Sequence, residues 1–362
     1  MNNKVKLLYI TVRADHGGGP KHLDLLINNL SDKFEIYVAC PTDAPYYNLW
    51  AGNANVASLH RIPHRKFSLV TLLSLRNFIK SNKITVVHSH GKGAGVYART
   101  LKLLLPGLKV VHTFHGVHIQ EYGLLQKKAY FLFEKTARML TDKFINVSNG
   151  EKDVCLSSGF STAAKTCVIY NGIALPDVQG GGASKSSEIF TVATISRFDY
   201  SKNMQLAYEI AKEFVPIPEI RFLWIGDGPD KAALEEKARA EQINNIIFTG
   251  FKDNPTDYLY RSDIYLSTSR WEGLPIALVE AASIGLPIVA SYVTGNNEVV
   301  SHGDNGFLYP INNIEDAVQH IHLLYADKHV HNRLSCRSKE IFDKLFRVED
   351  MVHKTEAVYL KY

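Results

Sequence analysis

Short apolar runs alternate with helical patterns along almost the whole of this chain, and the alternation starts twice. In the first half the runs are VKLLYITV (5–12), FEIYVAC (34–40), ITVVHSH (84–90), LKVVHTFHG (108–116), KFINVS (143–148) and CVIYNGI (167–173). Each is rich in Val and Ile and closes on Gly, His, Ser or Asn, the signature of a strand buried on both faces. Helical patterns fall between them, at 20–30, 69–81 and 124–141. Residues 176–187 (PDVQGGGASKSS) have no periodicity and much Gly and Ser, as a linker or exposed loop has. The pattern then restarts with IFTVATISR (189–197), IRFLWIGDG (220–228), NIIFTGF (245–251), DIYLSTS (263–269) and PIVASYV (287–293). Helical patterns separate these near 202–214, 229–241 and 274–285, and a last one runs from 314. Two βαβ sets predict two doubly wound parallel sheets. The expected bounds are 1–176 for the first domain, 177–188 for the linker and 189–346 for the second domain.

Composition narrows the partners. The chain has 362 residues, 46% hydrophobic and 21% charged, which suits two moderate globular domains. No apolar stretch approaches the roughly 20 residues of a helical span. The N-terminal LLYITV run is six residues long and ends at Arg13, so it reads as a first buried strand rather than a leader. Cys40, Cys155, Cys167 and Cys336 are scattered with no CxxC, which predicts reduced thiols and a cytoplasmic protein. Most of the 15 histidines lie in different elements, so no metal site is expected. The +5 net charge hides a division. Residues 1–178 hold 22 Lys+Arg and 11 Asp+Glu, and residues 179–362 hold 19 and 25. A basic half of +11 points to an anionic partner such as lipid, a phosphorylated acceptor or nucleic acid, or else to an accident of surface composition.

In doubly wound sheets, ligands sit beyond the carboxyl ends of the strands. The loop HGGGPKH (16–22) follows the first strand, and Gly17 and Gly18 let backbone approach a ligand at a helix start. It is not G-x-G-x-x-G, and no acidic residue ends the second strand, so a dinucleotide oxidoreductase is disfavoured. SRFDYSKN (196–203) sets Arg197 at a strand end and Lys202 at the start of the next helix. Two such cations suit a diphosphate. WEGLPIALVE (271–280) opens a helix with Glu272, and Glu280 follows a little over two turns later on an otherwise apolar face. A carboxylate there needs a polar partner, either a salt bridge or ligand hydroxyls.

Together these segments resemble glycosyltransferase family 4 and its GT-B fold, two Rossmann-like domains facing a central cleft. Glu272 and Glu280 match the E-x7-E pair, with Ser269, Gly273 and Pro275 around it. Arg197, Lys202 and Asn203 match R-x4-K-N. GDGP falls at 226–229, the G-F turn at 250–251 and T-G-x-x-E-V-V at 294–300. Gly17, Gly18 and His22 match GG-x3-H, His88 to Gly91 match H-x-H-G loosely, and His115 in HTFHG matches the strand-end His. Ser196 and Ala174 depart from common family residues.

The resemblance implies roles. Arg197 and Lys202 would neutralise the donor diphosphate. Glu272 and the N–H groups of Gly273 and Leu274 would hold sugar hydroxyls, and Glu280 would bind ribose. Backbone near Phe251 would contact the base. Asn203, Gly226 and Ile276 complete the donor-binding set, Gly17 and Gly18 would approach the diphosphate or sugar, and His115 would touch the sugar near its anomeric centre. The final helix, roughly 347–362, would cross back to the first domain, and the linker would permit closure.

The reaction so implied is retaining transfer from a nucleotide-diphosphate sugar, UDP-sugar favoured over GDP-sugar. No D-x-D is present, so no metal or other cofactor is expected. A GT-B nucleotide-sugar 2-epimerase is the alternative, and a non-catalytic sugar-nucleotide sensor is disfavoured by the intact Arg197, Lys202, Glu272 and Glu280. The acceptor is expected to be a lipid-linked saccharide of a cell-surface polysaccharide, or else a soluble one. The segment QKKAYFLFEKTAR (126–138) interleaves Lys127, Lys128, Lys135 and Arg138 with Tyr130, Phe131 and Phe133. It reads as a peripheral contact with an anionic membrane surface on the inner face of the cell membrane, or as an ordinary amphipathic helix. No nucleic-acid partner is expected.

Overall fold

The structure is a computed structural model that describes residues 4–117, 122–175 and 188–362. The 176–187 segment read as a linker lies outside the described residues. The chain divides into two units, one of Met1–Gly172 with Val348–Tyr362 and one of Ile173–Arg347.

Unit 1 is built on β1 (Val5–Thr11), β2 (Phe34–Cys40), β3 (Val56–Arg61), β4 (Val86–His90), β5 (Lys109–Thr113), β6 (Lys143–Asn146) and β7 (Thr166–Val168). Its order is β3-β2-β1-β4-β5-β6-β7, with every pairing parallel. Alternate residues of β1 serve opposite faces, as the strand period of two requires. Leu7 and Tyr9 pack with Leu23, Leu26 and Ile27. Leu8 and Ile10 pack with Leu72, Leu75, Tyr97 and Leu101. These four side chains are fully buried, and burial of Leu7, Leu8 and Ile10 stabilises the fold by about 1.5–3 kcal/mol each. The helix Val348–Tyr359 joins the first of these faces through Met351, Val352 and Tyr359.

Unit 2 carries β8 (Phe190–Ile195), β9 (Ile220–Ile225), β10 (Ile246–Gly250), β11 (Ile264–Ser267), β12 (Ile288–Ser291) and β13 (Gly306–Tyr309), ordered β10-β9-β8-β11-β12-β13 and again parallel. Val192, Phe222, Trp224, Leu266 and Val289 share a core with Met204, Ala207, Tyr208 and Ala211.

Two strands go unmarked by apolar runs. β3 is an edge strand whose residues are half-buried or exposed, so VASLHR shows little apolar signal. β13 is only four residues long. In each sheet the strand order reverses beside the first strand, between β1 and β4 and between β8 and β11. A crevice opens at such a reversal, and loops from both directions converge there.

Candidate functional site

In unit 2 the loops after β8, β11 and β12 come together at the carboxyl edge. The Lys202 ammonium is ion-paired with the Glu272 carboxylate, 70 residues away in sequence. Ser269 Oγ donates to the same Glu272 oxygen at 2.7 Å. Arg197 is half-exposed and paired with Asp199. Burial opposes the Asp199 carboxylate, but the bonds from Ser201 and Arg197 outweigh it and hold its pKa below the usual range. The two cations read as a diphosphate grip therefore each carry a carboxylate partner in this structure.

Arg270 fixes the relation of these loops. Its backbone N–H donates to Ser201 O at 2.8 Å, its Nε to Tyr200 O at 3.1 Å, and its guanidinium to Asn203 Oδ1 at 2.8 Å. Asn203 is buried, adopts the left-handed conformation (φ 54°) and caps the helix Met204–Lys212. Ser291 Oγ donates to Ser269 O at 2.6 Å, and Asn296 Nδ2 donates to Ser291 O at 3.0 Å, which ties the third loop in.

Two glycines are required by close approach. A Cβ on Gly226 (φ 141°) would lie 1.9 Å from Ser196 O. One on Gly295 (φ 88°) would lie 2.6 Å from Gly273 O and 3.0 Å from Glu272 Cβ. Any side chain at either position forces the loops apart.

Glu280 is buried on the helix Ile276–Ser283. Gly273, Leu274 and Ile276 are buried at the start of that helix, and Phe251 is exposed after β10. Tyr265 stands beneath them. Its hydroxyl donates to Ile195 O at 2.9 Å and accepts from Ile195 N at 3.1 Å, which pins the end of β8. Burial pushes its phenol pKa up, and the nearby carboxylates of Glu280 and Glu272 push the same way.

In unit 1 the loop after β1 is held by Arg13, which forks onto Asp15 at 2.7 and 2.9 Å and donates to His16 O at 2.8 Å. Gly17 caps the helix Gly18–Asn29. A Cβ on Gly19 would sit 3.9 Å from His115 Cδ2, so this loop and the loop after β5 are neighbours. His115 is left-handed (φ 58°) and half-buried. The next residue, Gly116, donates its N–H to the buried Glu151 carboxylate, which also accepts from Val147 N at 2.9 Å.

The histidines that lie far apart in the chain gather here. Ligand nitrogens of His22, His90 and His115 fall within 4.8 Å of one another, because β4 and β5 are adjacent and the helix Gly18–Asn29 starts beside them. The sequence reading, which kept the histidines in separate elements, did not anticipate this grouping. His90 Nδ1 and His115 Nε2 are 2.9 Å apart and share one proton, so both are not open at once to a cation. His22 Nδ1 and His90 Nε2 are buried with no hydrogen-bond partner among the described residues. An orphaned buried N–H is rarer than an under-used lone pair, which assigns His90 Nδ1 as donor and leaves His115 Nδ1 protonated. Burial drives the pKa values of His88, His90, His112 and His115 well below the usual imidazole value and pushes His22 down to about 4. At neutral pH the group is uncharged, and His115 offers a hydrogen-bond donor rather than a cation.

Of the residues singled out from the sequence, Arg197, Lys202, Asn203, Gly226, Glu272, Gly273 and Leu274 line the converging loops of unit 2. Gly17 and Gly18 lie in unit 1 on the loop whose Gly19 neighbours His115. Arg13, Glu151, Asp199, Tyr265 and Arg270 went unnoticed. Glu151, Tyr265 and Arg270 act on backbone or through partners distant in sequence, Arg13 and Asp199 pair with side chains two residues away, and only the H-x-H spacing hinted at His90.

Residues 16–175 match the family model for Glycosyltransferase Family 4, and residues 183–341 match that for Glycosyl transferases group 1. The chain belongs to glycosyltransferase family 4. An Escherichia coli relative, UDP-Gal:alpha-D-GlcNAc-diphosphoundecaprenol alpha-1,3-galactosyltransferase, is 27% identical over 386 residues, spanning 99% of this chain and 97% of its own. Among solved structures, Anabaena HepE in complex with UDP and glucose superposes with a TM-score of 0.86 at 17% identity, covering 99% of this chain and 100% of its own. The lipopolysaccharide outer core galactosyltransferase WaaB in its apo form gives 0.74 at 18% identity, covering 99% and 100%. These likenesses establish the GT-B fold for this family 4 glycosyltransferase. In that fold, the loops assembled around Glu272 are where a sheet-edge ligand belongs.

Proposed function

We propose that this glycosyltransferase moves a sugar from a nucleotide-diphosphate donor, UDP-sugar in preference to GDP-sugar, to a lipid-linked saccharide with retention of configuration. The observation that carries the reading is the Lys202–Glu272 pair beside Arg197 at the carboxyl edge of the unit 2 sheet. Transfer requires stabilisation of a leaving diphosphate and of developing charge on the sugar. Lys202 and Arg197 neutralise the diphosphate without a metal. Glu272 and the N–H groups of Gly273 and Leu274 hold sugar hydroxyls, and Glu280 takes the ribose. Phe251 backbone meets the base. Asn203, Gly226 and Ile276 shape the donor loops. Gly17 and Gly18 are assigned to the diphosphate and His115 to the anomeric region. No carboxylate is assigned as a nucleophile. The acceptor proton passes to the leaving phosphate on the same face.

The Escherichia coli relative is a galactosyltransferase named for UDP-Gal and a diphosphoundecaprenol-linked GlcNAc acceptor, and the Anabaena structure holds UDP and glucose. Both support a UDP-sugar donor, and the first supports a lipid-diphosphate acceptor. The match to a transferase over nearly the whole chain supports transfer over 2-epimerisation.

The basic half of the chain is assigned to membrane contact. In the helix Leu124–Ala137, Tyr130 and Phe131 pack inward on Phe160, and Arg99 lies over Phe133. The aromatic residues expected at the surface are therefore the inner stripe, set by the helical period. Leu124, Leu125 and Leu132 are the exposed apolar residues instead.

The test is a panel of UDP-, GDP- and ADP-sugars with a GlcNAc-diphospho-lipid acceptor, with the anomeric configuration of the product read by NMR. A retained linkage formed only from a UDP-sugar is expected. An inverted product overturns the mechanism, and C2-epimerised donor without acceptor overturns transfer.

A further inference from the structure

His90 stands one ring behind His115, and the proposed chemistry gives it no part. β4 and β5 pair with His90 opposite Thr113, so the side chain at the end of β4 lies beside the loop that carries His115. His90 Nδ1 is 2.9 Å from His115 Nε2, and the ring centroids are 5.2 Å apart and stacked. His90 is 4% exposed. Its ring centroid lies 5.5 Å from that of Tyr9, 5.6 Å from that of His22 and 4.1 Å from that of His88. A ring packed among three others has little room to swing away from its partner.

The backbone of His115 is held as well. His115 and Gly116 are both left-handed, with φ of 58° and 100°. A residue other than glycine keeps that conformation only where its surroundings impose it. Here the Gly116 N–H donates to the buried Glu151 carboxylate, which also accepts from Val147 N at 2.9 Å and from Asn146 Nδ2 at 3.3 Å. The place of the His115 ring is thereby set. Its chemistry then depends on which of its two nitrogens carries the proton.

That choice falls to His90, because one proton lies between His90 Nδ1 and His115 Nε2. If His115 supplied it, neutral His90 would carry its own proton on Nε2, a buried atom with no hydrogen-bond partner among the described residues. If His90 supplies it, that same Nε2 is only an unused lone pair, the cheaper of the two to bury. His115 then carries its proton on Nδ1, which makes no hydrogen bond among the described residues. Burial keeps both rings uncharged at neutral pH.

We propose that His90 is a positioning residue for His115: by donating from Nδ1 it fixes the tautomer in which His115 presents an N–H, rather than a lone pair, to an oxygen of the donor sugar. This deepens the proposed function and rests on its assignment of His115 to the sugar.

The experiment is ¹⁵N NMR of the full chain labelled at histidine, with the His115 signals identified as those missing from His115→Ala. In the wild type the His115 proton is expected on Nδ1, and a proton on Nε2 overturns the proposal. His90→Phe keeps a ring without a donor, and His90→Asn places an amide N–H where Nδ1 stood. Circular dichroism confirms that each variant is folded, and the wild-type spectrum decides by itself if His90→Phe is not. His90→Phe is expected to move the His115 proton to Nε2 and to lower kcat about tenfold with donor KM changed by less than about twofold. His90→Asn is expected to restore the Nδ1 proton and most of kcat. In the His115→Ala background, His90→Phe is expected to change kcat by less than about twofold, because a residue that acts through another has nothing left to act on. A tenfold loss in that background shows a packing role and overturns the proposal. If the proton moves in His90→Phe while kcat does not, His90 sets the tautomer and the assignment of His115 to the sugar falls instead.

Discussion

Lys202 and Glu272, from loops after two adjacent strands, share an ion pair at the carboxyl edge of the unit 2 sheet. The pair holds the Lys202 ammonium at the sheet edge where a leaving diphosphate is proposed to sit. Lys202 and Ser269 both engage Oε1 of the Glu272 carboxylate. Lys202→Ala and Arg197→Ala are each expected to lower turnover by about 10²–10³, the usual loss for one transition-state charge stabiliser at about 2.7–4 kcal/mol. Steady-state kinetics with the preferred donor checks this. Near-normal rates in the double variant would remove the diphosphate role.

Arg270 hydrogen-bonds to Tyr200, Ser201 and Asn203, which tie the loops together beside Glu272 rather than to Glu272 itself. Arg270→Ala is expected to cost about 1–3 kcal/mol of stability, because Asn203 Oδ1 is buried and loses its donor. Donor KM is expected to rise more than kcat falls, since the loops are displaced while the reacting groups remain. A fall in kcat alone at unchanged stability would place Arg270 in the chemistry.

Catalysis is expected to survive chelation. The cations proposed for the diphosphate are side chains, and the gathered His22, His90 and His115 already share a proton between two of their nitrogens. Turnover after dialysis against EDTA should match the untreated enzyme, and added Mn²⁺ should not raise it. Activity lost with EDTA and regained with Mn²⁺ contradicts the metal-free reading.

Acid is expected to destabilise unit 1 early. His22, His88, His90, His112 and His115 have folded pKa values lowered by burial, His22 to about 4. In the window below the ordinary imidazole pKa of about 6.5 the unfolded chain therefore binds more protons than the folded one. Stability falls as pH falls through that window, by up to about 1.4 kcal/mol per pH unit for each imidazole. Urea midpoints between pH 7.5 and 5 check this, and a flat profile would show the imidazoles protonated in the folded state.

Glu134 and Arg99 form a fully buried ion pair at 2.9 Å, with the guanidinium over Phe114, Phe133 and Phe144. Glu134→Ala strands a buried cation and is expected to cost about 3–5 kcal/mol. The double variant Glu134→Leu/Arg99→Met is expected to recover most of that. Urea denaturation of the two variants separates a needed charge pair from a merely filled space.

The strands were legible because a parallel sheet covered on both faces needs apolar residues in sequence, as in Leu7 to Ile10, and the linear pattern records them. β3 escaped because an edge strand is only half-buried. Glu280 was legible because a carboxylate on an apolar helix face is costly unless something binds it, and Arg197, Lys202 and Glu272 because they follow strand ends, where a doubly wound sheet exposes its loops. The sequence by itself thus determined two parallel α/β units and most of the residues at their carboxyl edges. Only the tertiary structure decided which of those residues touch. Lys202 meets Glu272 because β8 and β11 are neighbours at the order reversal. His90 meets His115 because β4 and β5 are paired. The aromatic residues of the helix Leu124–Ala137 turn inward because its packed face is set by Arg99 and Phe160, residues that no local spacing reveals. Strand adjacency is a property of the folded sheet, and contacts across it are made between residues whose separation along the chain carries no trace of them.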